Sequence, residues 1–432
     1  MTRIPQGGVV ERESLVRRAR QVIPGGASAG GRSLFEDAIV RARGAYLWNA
    51  DGRRFVDHLN AGGAIVIGHA DPRVNRAVAG TAATVDLNWV GAQAGEVELA
   101  ERIVRTMPSA DKVAFTHTGT DALQHALHVA RAATGRNRIL KFHGHCHGWV
   151  GQLGVGASFA MEPGFAPPPG ASNSGGSQPG PSESVEVVDW NDFEATRAAF
   201  AARGREYAAI VVEPYLHSYT NAPPAPGFLE LLRELADQHG AVLVFDEVKT
   251  GFRHHLGGYQ VIAGVTPDLT AFGKALGNGY TIAGLAGWTD LMDLLGVEVS
   301  IGGTDYASPY ALAAGITTFD ILEDGGVERL WALGERLREG LARAIRAAGV
   351  AANVTGIGSG WIINWRADPP VTFRQAVDAD FDRGETFRLA MLDAGILLPP
   401  YVFADARINL AFTDDDVDET IEAAGRALRA LA

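Results

Sequence analysis

The chain has 432 residues, of which 47% are hydrophobic and 20% charged, and its formal net charge is −12. These values predict a soluble globular enzyme with a large core, organised either as two unequal domains or as one large domain with a satellite. The negative charge argues against nucleic acid and anionic membranes as partners. A single cysteine, Cys146, excludes an internal disulfide framework. Because no apolar run has the length of a membrane span and the start lacks the apolar core of a signal peptide, we expect a cytoplasmic protein.

The first predicted elements are a short amphipathic helix and a hairpin. Residues 11–22 have helical periodicity, and residues 45–59 are typical of two strands around the turn at 49–52. From about residue 95 onward, helical segments alternate with short apolar strands, among them KVAFTH, RILKFH, AAIVVEP and AVLVFDEV. Near-continuous apolar strands that alternate with helices predict an α/β fold with a large, mostly parallel sheet covered on both faces.

The last part of the chain has the balance of a smaller α+β domain. After about residue 310 come a long helix, strands near GWIINWRA and GILLPPYVF, and a final helix over 414–431. We therefore predict an N-terminal segment over 1–65 that contributes to the small domain, a large domain over 66–310 and a small domain over 311–432. The Pro-, Gly- and Ser-rich segment 163–185 is either a mobile functional loop or a tolerated surface insertion.

Two strand ends carry candidate functional residues. Asp246 closes the strand in AVLVFDEV, at the edge where open α/β sheets place their ligands. A buried carboxylate there needs a partner such as the ring nitrogen of a pyridine cofactor, unless it is a helix N-cap or part of a structural ion pair. Gly119-Thr120-Asp121 joins a strand to a helix. Its amides and the Thr120 hydroxyl could bind phosphate, although threonine and aspartate are also ordinary caps.

Lys274 is one of four lysines in the chain and stands in the segment DLTAFGKALGNGY. The small residues around it suit a lysine in Schiff-base linkage to a bulky cofactor, because such a lysine must reach a ring and be partly desolvated. The alternative is a solvated loop lysine, which is the usual state of this residue type.

The order of these features is more specific than any one of them. A phosphate-binding turn, a strand-end aspartate and a lysine 28 residues later resemble the pyridoxal-phosphate enzymes of fold type I, the aspartate aminotransferase fold. One long segment resembles the class III aminotransferases, and within them glutamate-1-semialdehyde aminomutase and its relatives. This segment is EPYLHSYTNAPPAPGFLELLRELADQHGAVLVFDEVKTGFR. Further motifs in the family order are PGG, GAYLWNADGRRFVDHLNAGG, GHADPRV, TGTDA, FHGHCHGW, VTPDLTAFGKALGNG and GGTDYASP.

This resemblance implies a role for each matching residue. Lys274 would form the internal aldimine with pyridoxal 5'-phosphate and move the proton, and Asp246 would pair with the pyridinium nitrogen. Thr304 would reach the phosphate of the neighbouring subunit, which implies a homodimer with shared active sites. The other cofactor-binding positions would be Gly119, Thr120, Cys146, His147, Glu213 and Val248.

The sequence departs from the family pattern around the cofactor and the substrate. Cys146 stands where an aromatic usually stacks on the ring, so we expect weaker packing or a substitute such as Trp149. The run HGHCH also invites a zinc interpretation, but ligands so closely spaced rarely complete a site without distant partners, and we predict no metal. Arg32 matches an arginine that binds the substrate carboxylate, and Arg407 is either a second carboxylate clamp or a surface arginine. Aminomutase pocket residues are replaced by Ala29, Gly62, Ser218 and Ala404, which predicts a roomier and less polar site.

Three function classes follow. The first is ping-pong transfer of an amino group from an amino acid or amine to a keto or aldehyde acceptor through the Lys274 aldimine. The second is an isomerase, either an aminomutase or a racemase, that uses the same lysine and ring. The third is a dinucleotide-binding protein, but GVGAS and GIGSG lack the strand–glycines–helix context. The replaced pocket residues favour transfer, with a substrate larger or more apolar than glutamate semialdehyde.

Overall fold

The computed structural model describes residues 12–28, 32, 35, 37–156, 171, 180–218 and 220–432. Most of the predicted loop 163–185, and Ala29, lie outside the described residues. The described strands are β1 (Ile39–Arg43), β2 (Tyr46–Asn49), β3 (Arg54–Asp57), β4 (Lys112–Thr116), β5 (Arg138–Phe142), β6 (Val185–Val188), β7 (Tyr207–Val212), β8 (Val242–Asp246), β9 (Leu269–Phe272), β10 (Ala283–Gly287), β11 (Asn353–Thr355), β12 (Gly360–Asn364), β13 (Ile396–Leu397) and β14 (Ala406–Arg407).

The helices occupy most of the remaining described chain. They are α1 (Arg12–Val22), α2 (Asn60–Gly63), α3 (Pro72–Ala82), α4 (Ala94–Thr106), α5 (Gly119–Thr134), α6 (Phe193–Arg203), α7 (Phe228–His239), α8 (Tyr259–Ala263), α9 (Thr289–Met292), α10 (Pro309–Ile321), α11 (Val327–Ala348), α12 (Phe373–Val377), α13 (Phe381–Asp393) and α14 (Asp414–Leu431). Short 3₁₀ turns cover Pro24–Gly26, Gly151–Gly154, Pro181–Ser184, Gly204–Glu206 and Lys274–Gly277, and Leu322–Gly326 is a π turn. No helix of the described chain is long and apolar enough to cross a bilayer.

A seven-stranded sheet in the order β4-β10-β9-β8-β7-β5-β6 is the largest sheet among the described residues. Its strands are parallel except β10, which runs antiparallel to both neighbours. Alternate residues of β5 and β7 enter two different hydrophobic clusters, so both faces of the sheet are covered. The predicted α/β fold with a mostly parallel sheet is therefore confirmed. The sequence pattern did not predict β10, because four of its five residues are alanine or glycine. A side chain at Gly284 would collide with the Phe272 ring.

Two smaller sheets join distant parts of the chain. In the first, β2 and β3 form the predicted hairpin, and the C-terminal strand β13 pairs in parallel with β3. In the second, β12 pairs with β11 and β14, while α11 and α14 pack on a common core with these strands. β13 is shorter than GILLPPYVF suggested, because Pro399 and Pro400 have no backbone N–H to donate to a neighbouring strand.

The parallel arrangement brings several strand ends to one edge of the large sheet, which we call the carboxyl edge. β4, β5, β7, β8 and β9 all end there, since β10 runs antiparallel to both β4 and β9. Asp246 is the last residue of β8, and the segments that follow the other strands carry Thr120, His147, Glu213 and Lys274. The fold thus places at one edge residues that are up to 154 positions apart in the chain.

Candidate active site

Lys274 begins the turn that follows β9 at the carboxyl edge. Its φ of 43° lies in the left-handed region, which non-glycine residues seldom adopt outside functional sites. The ammonium has no hydrogen-bond partner among the described residues. Desolvation, together with the charge of Lys249, lowers the pKa of Lys274 to about 8. A lysine of this kind is a nucleophile near neutral pH.

The glycines around Lys274 have a packing reason that the sequence did not show. A Cβ at Gly277 would lie 2.9 Å from Ile282 Cγ2, and one at Gly279 would lie 2.8 Å from Ile65 Cδ1. The low bulk therefore allows the Lys274 turn to lie close to neighbouring protein atoms. Space for a ligand is not its only cause.

Asp246 is 3% exposed at the end of β8 and is paired with His147. Its Oδ2 lies 2.8 Å from His147 Nδ1, and its Oδ1 accepts a hydrogen bond of 3.1 Å from the Val248 amide. No helix begins here, so Asp246 is not a helix N-cap. Burial lowers the pKa of His147 well below its usual range, so the imidazole is neutral with its proton on Nδ1. His147 Nε2 is then a buried acceptor with no partner in the described chain.

The N-terminus of α5 offers an uncommitted hydroxyl. Thr118 and Asp121 form a capping box, in which each side chain accepts a hydrogen bond from the other residue's backbone amide. These two residues therefore fill the capping role that the sequence left open, and the Thr120 hydroxyl remains available. The backbone approaches closely here, since a Cβ at Gly148 would lie 2.5 Å from Thr120 Oγ1. An anion at this point would meet both the helix dipole and free donors.

Replacing Gly119 by alanine should destabilise the protein, because the new Cβ would lie 2.6 Å from Val248 Cγ2. Overpacking of this kind costs about 1–3 kcal/mol. The measurement is the midpoint of urea unfolding. Gly80→Ala is the control, since nothing lies within 4 Å of a Cβ there and alanine is the better helix former. Equal midpoints for Gly119→Ala and wild type would show that Val248 moves aside without cost.

Glu213 follows β7 and binds two backbone amides. Its Oε1 accepts from Cys146 N at 2.7 Å and its Oε2 accepts from Ser218 N at 3.1 Å, while burial raises the pKa of the carboxyl group. The backbone of Cys146 is thus fixed next to the Glu213 carboxylate. Trp149, the expected substitute for the missing aromatic, is 70% exposed, so in this chain it does not fill that position.

The histidines of HGHCH have three separate partners. His143 Nδ1 lies 3.3 Å from Asp189, His145 Nδ1 accepts from the Glu213 amide at 3.0 Å, and His147 pairs with Asp246. Within the described chain, no three His, Cys, Asp or Glu residues are grouped so as to hold a metal ion.

Arg407 is buried, with 2% exposure, which excludes the surface alternative. Its Nη2 donates to Asp405 Oδ1, and Lys249 Nζ lies 3.7 Å from the same oxygen. The other oxygen of Asp405 lies 2.5 Å from His217 Nδ1. Burial would raise the pKa of Asp405, but the charges of Arg407 and its neighbours outweigh burial and hold it well below the usual range. Sequence reasoning missed Asp405 and His217, and only the scarcity of lysine hinted at Lys249.

The two remaining predicted residues lie apart from this cluster. Arg32 and Thr304 are both exposed in the described chain, and no contact joins either of them to Lys274 or Asp246. A residue that reaches a neighbouring subunit is expected to be exposed in a single chain.

Buried neutral histidines should make the protein sensitive to acid. Burial lowers the pKa of both His58 and His217 to about 4 from 6.5. Between these values the unfolded chain binds more protons than the folded one, so the free energy of unfolding falls as the pH falls from 6.5 to 4. Each histidine should contribute roughly 3 kcal/mol to this loss.

Thermal melting at several pH values measures the effect. His217→Gln should show a smaller acid-dependent decrease in melting temperature, whereas His255→Gln, at an exposed position, should match wild type. Identical pH profiles for His217→Gln and wild type would contradict the assignment.

Comparisons with known proteins agree with this geometry. Residues 28–424 match the family described as Aminotransferase class-III. A glutamate-1-semialdehyde 2,1-aminomutase from Thermomicrobium roseum is 39% identical over 437 residues, which cover 97% of this chain and 98% of the relative. The crystal structure of an omega-transaminase from Sphaerobacter thermophilus superposes with a TM-score of 0.90 at 33% identity, over 96% of this chain and 97% of that one.

A second solved structure extends this likeness. A beta-phenylalanine aminotransferase from Variovorax paradoxus has a TM-score of 0.84 at 30% identity and covers 95% of this chain and 92% of its own. The family match spans the large sheet, the Lys274 turn and the C-terminal sheets alike. This chain therefore belongs to the class III aminotransferases, a family of enzymes that depend on pyridoxal phosphate.

Proposed function

We propose that this aminotransferase moves an amino group from an amino acid, whose amine is remote from its carboxylate, to a keto or aldehyde acceptor. The observation that carries the proposal is the desolvated Lys274 amine at the same sheet edge as the buried Asp246–His147 pair. The likeness to an omega-transaminase and a beta-phenylalanine aminotransferase supports a donor of this type.

The residues at the carboxyl edge fit pyridoxal phosphate. The lack of a side chain at Gly119 lets the backbone pass close to Val248. The Thr120 hydroxyl has no hydrogen-bond partner among the described residues, and His147 Nε2 is a buried polar atom without a described partner. Gly119 and Thr120 would hold the phosphate, and Val248 would lie against one face of the ring. Cys146, His147 and Glu213 would complete the binding site. When bound, the cofactor supplies an electron sink for the bonds around the transferred nitrogen.

The protein's own groups supply positioning and proton transfer. Asp246 would hold a positive charge at the ring nitrogen, and His147 fixes the orientation of its carboxylate by donating from Nδ1. Lys274 Nζ would carry the linkage to the cofactor. As a free amine it would take a proton from the substrate carbon that bears the amino group and deliver it to the cofactor carbon that bonds the transferred nitrogen. The lowered pKa of Lys274 suits this work, because a general base acts best near its own pKa.

Arg407 and Arg32 would provide carboxylate recognition. Arg407 has a buried guanidinium whose Nε has no partner in the described chain, so it can accept a further anion. We also propose that two copies form a homodimer in the cytoplasm, with Thr304 of each copy directed to the phosphate bound by the other. The exposure of Thr304 in the single chain supports this arrangement, and sedimentation of the purified protein tests it.

Visible spectroscopy of the holoenzyme with one amino donor and no acceptor tests the reaction. If the enzyme transfers amino groups, the donor should bleach the absorption band of the bound cofactor and form one keto product per active site. Addition of a keto acid should then restore the band. The first donors to compare are 3-amino-3-phenylpropanoate and 1-phenylethylamine. A band that bleaches with none of a broad donor panel would overturn the proposal.

An isomerase is the second candidate, because a named aminomutase is 39% identical over nearly the whole chain. The pocket argues against it: Gly62 leaves open space, with no atom within 4 Å of a Cβ placed there, where the aminomutase pattern has a tryptophan. Release of a rearranged product from a single substrate, with the band unchanged at the end, would favour the isomerase.

A further inference from the structure

A second lysine, Lys249, lies in the turn that carries Asp246 and Val248. Its ammonium forms an ion pair of 3.7 Å with Asp405 Oδ1 and has no hydrogen bond within the described chain. The side chain is only 18% exposed, so most of it is buried. A lysine held here without a close partner is costly unless a further anion completes its surroundings.

Among the described residues, Asp405 is the only carboxylate that forms an ion pair with Lys249. Asp405 is already shared, since Arg407 Nη2 donates to the same oxygen that faces Lys249, and His217 approaches the other oxygen. Asp246 is engaged by His147 and the Val248 amide. Glu213 accepts hydrogen bonds from two backbone amides.

Two cations, Lys249 and Arg407, therefore share the single carboxylate of Asp405. Arg253 is also buried here, and it is bonded to Ser359 Oγ and the Gly63 carbonyl rather than to a carboxylate. Lys249 and Arg407 meet at one oxygen atom, so their charged ends are close enough for one incoming carboxylate to bridge them. Lys249 also contributes to the lowered pKa of Lys274, which shows that the two amines share one electrostatic environment.

We propose that Lys249, together with Arg407, binds the carboxylate of the amino donor beside Asp405 and is a specificity-determining residue of this enzyme. This inference rests on the proposed transfer function, and it deepens it by naming a residue that selects amino acids over simple amines. Asp405 acts as a positioning residue, because its single carboxylate holds both cations in place. His254 Nε2 lies 3.1 Å from His217 Nε2, within hydrogen-bond distance. This contact fixes the His217 ring against Asp405.

Calorimetric titration of the holoenzyme tests this without turnover. The probes are 3-phenylpropanoate and its amide, 3-phenylpropanamide, which have the same shape and differ in charge. We expect wild type to bind the carboxylate at least about tenfold more tightly than the amide, the effect of one or more charged hydrogen bonds. Lys249→Met should lose most of this preference and leave amide affinity unchanged, whereas Lys249→Arg should keep it.

Controls separate the possible causes. Lys112→Met removes an exposed lysine that is paired with Asp293, and it should bind both probes like wild type. Melting temperature and cofactor content confirm that each variant is folded, and Lys249→Gln replaces Lys249→Met if the latter does not fold. An unchanged preference in the folded neutral variant, or an equal loss of affinity for both probes, would overturn the inference.

The outcome also distinguishes this inference from the proposed function. A wild-type holoenzyme that transfers amino groups but binds carboxylate and amide alike would overturn the role of Lys249 and leave the transfer function standing. A wild-type protein that takes up no cofactor would overturn both.

Discussion

Replacing Lys274 by alanine should reduce amino transfer by at least about a thousand-fold while the protein remains folded. The variant loses both the nucleophilic amine and the proton-transferring base, and each kind of group contributes about 10²–10⁴-fold to an enzymatic rate. Folding should be retained, because the Lys274 ammonium has no hydrogen-bond partner within the described chain. The removal of a desolvated charge also relieves repulsion with Lys249.

Two measurements check this prediction. Single-turnover kinetics with an amino acid donor give the loss of rate. Borohydride treatment followed by denaturation and mass measurement should leave cofactor attached to wild type and not to the variant. Lys112→Ala, which removes an exposed lysine, is the control and should behave as wild type in both assays. If cofactor remains covalently attached to the Lys274→Ala variant, the assignment of Lys274 is wrong and the linkage belongs to Lys249 or Lys141, the other lysines near the site.

Replacing Asp246 by asparagine should lower the rate by about a hundred- to a thousand-fold, the usual effect of losing one preorganised electrostatic partner. The amide oxygen can still accept the hydrogen bond from His147 Nδ1, so the local fold should persist. What is lost is the negative charge, which burial already makes costly by raising the pKa of this carboxyl group. Cofactor binding should weaken as well, because the ring nitrogen would lose its counter-charge.

Asp268→Asn provides a matched control for this variant. Asp268 is also a buried aspartate next to a strand of the same sheet, but it accepts hydrogen bonds from Arg233 at 2.9 Å and from the Leu243 amide at 2.6 Å. Its replacement should lower the melting temperature and leave the rate per folded enzyme nearly unchanged. Near-normal turnover by Asp246→Asn would defeat the assignment of this residue to the ring nitrogen.

The local sequence predicted most strands of the seven-stranded sheet. Apolar runs such as AAIVVEP and AVLVFDEV became β7 and β8, and the final helix has the predicted bounds, because burial on both faces and helical periodicity are local properties. The order of the strand-end aspartate and the later lysine predicted the family, which the comparisons confirm. β10 was missed, because its small residues carry no hydrophobic pattern and depend on contact with Phe272.

Some features of the candidate site could likewise be predicted from the sequence, and others could not. Asp246 ends a strand, and Lys274 and Thr120 each come shortly after one, so their common edge follows from the parallel sheet that the sequence predicts. The assignment of capping to Thr118 rather than Thr120, the His147–Asp246 pair and the burial of Arg407 appeared only in the folded chain. Each of these depends on the direction in which a side chain points, and composition and spacing do not encode that direction.

The fold class, the family, and the lysine and aspartate proposed to act on the cofactor could all be predicted from the amino-acid sequence, because local patterns and their order along the chain carry that information. Only the tertiary structure assembled Lys249, Asp405 and Arg407 with His217. These residues come from the turn after β8, the segment around β14 and the segment after β7. They meet because buried charges require partners, and His217 and Asp405, for example, are 188 positions apart in the chain.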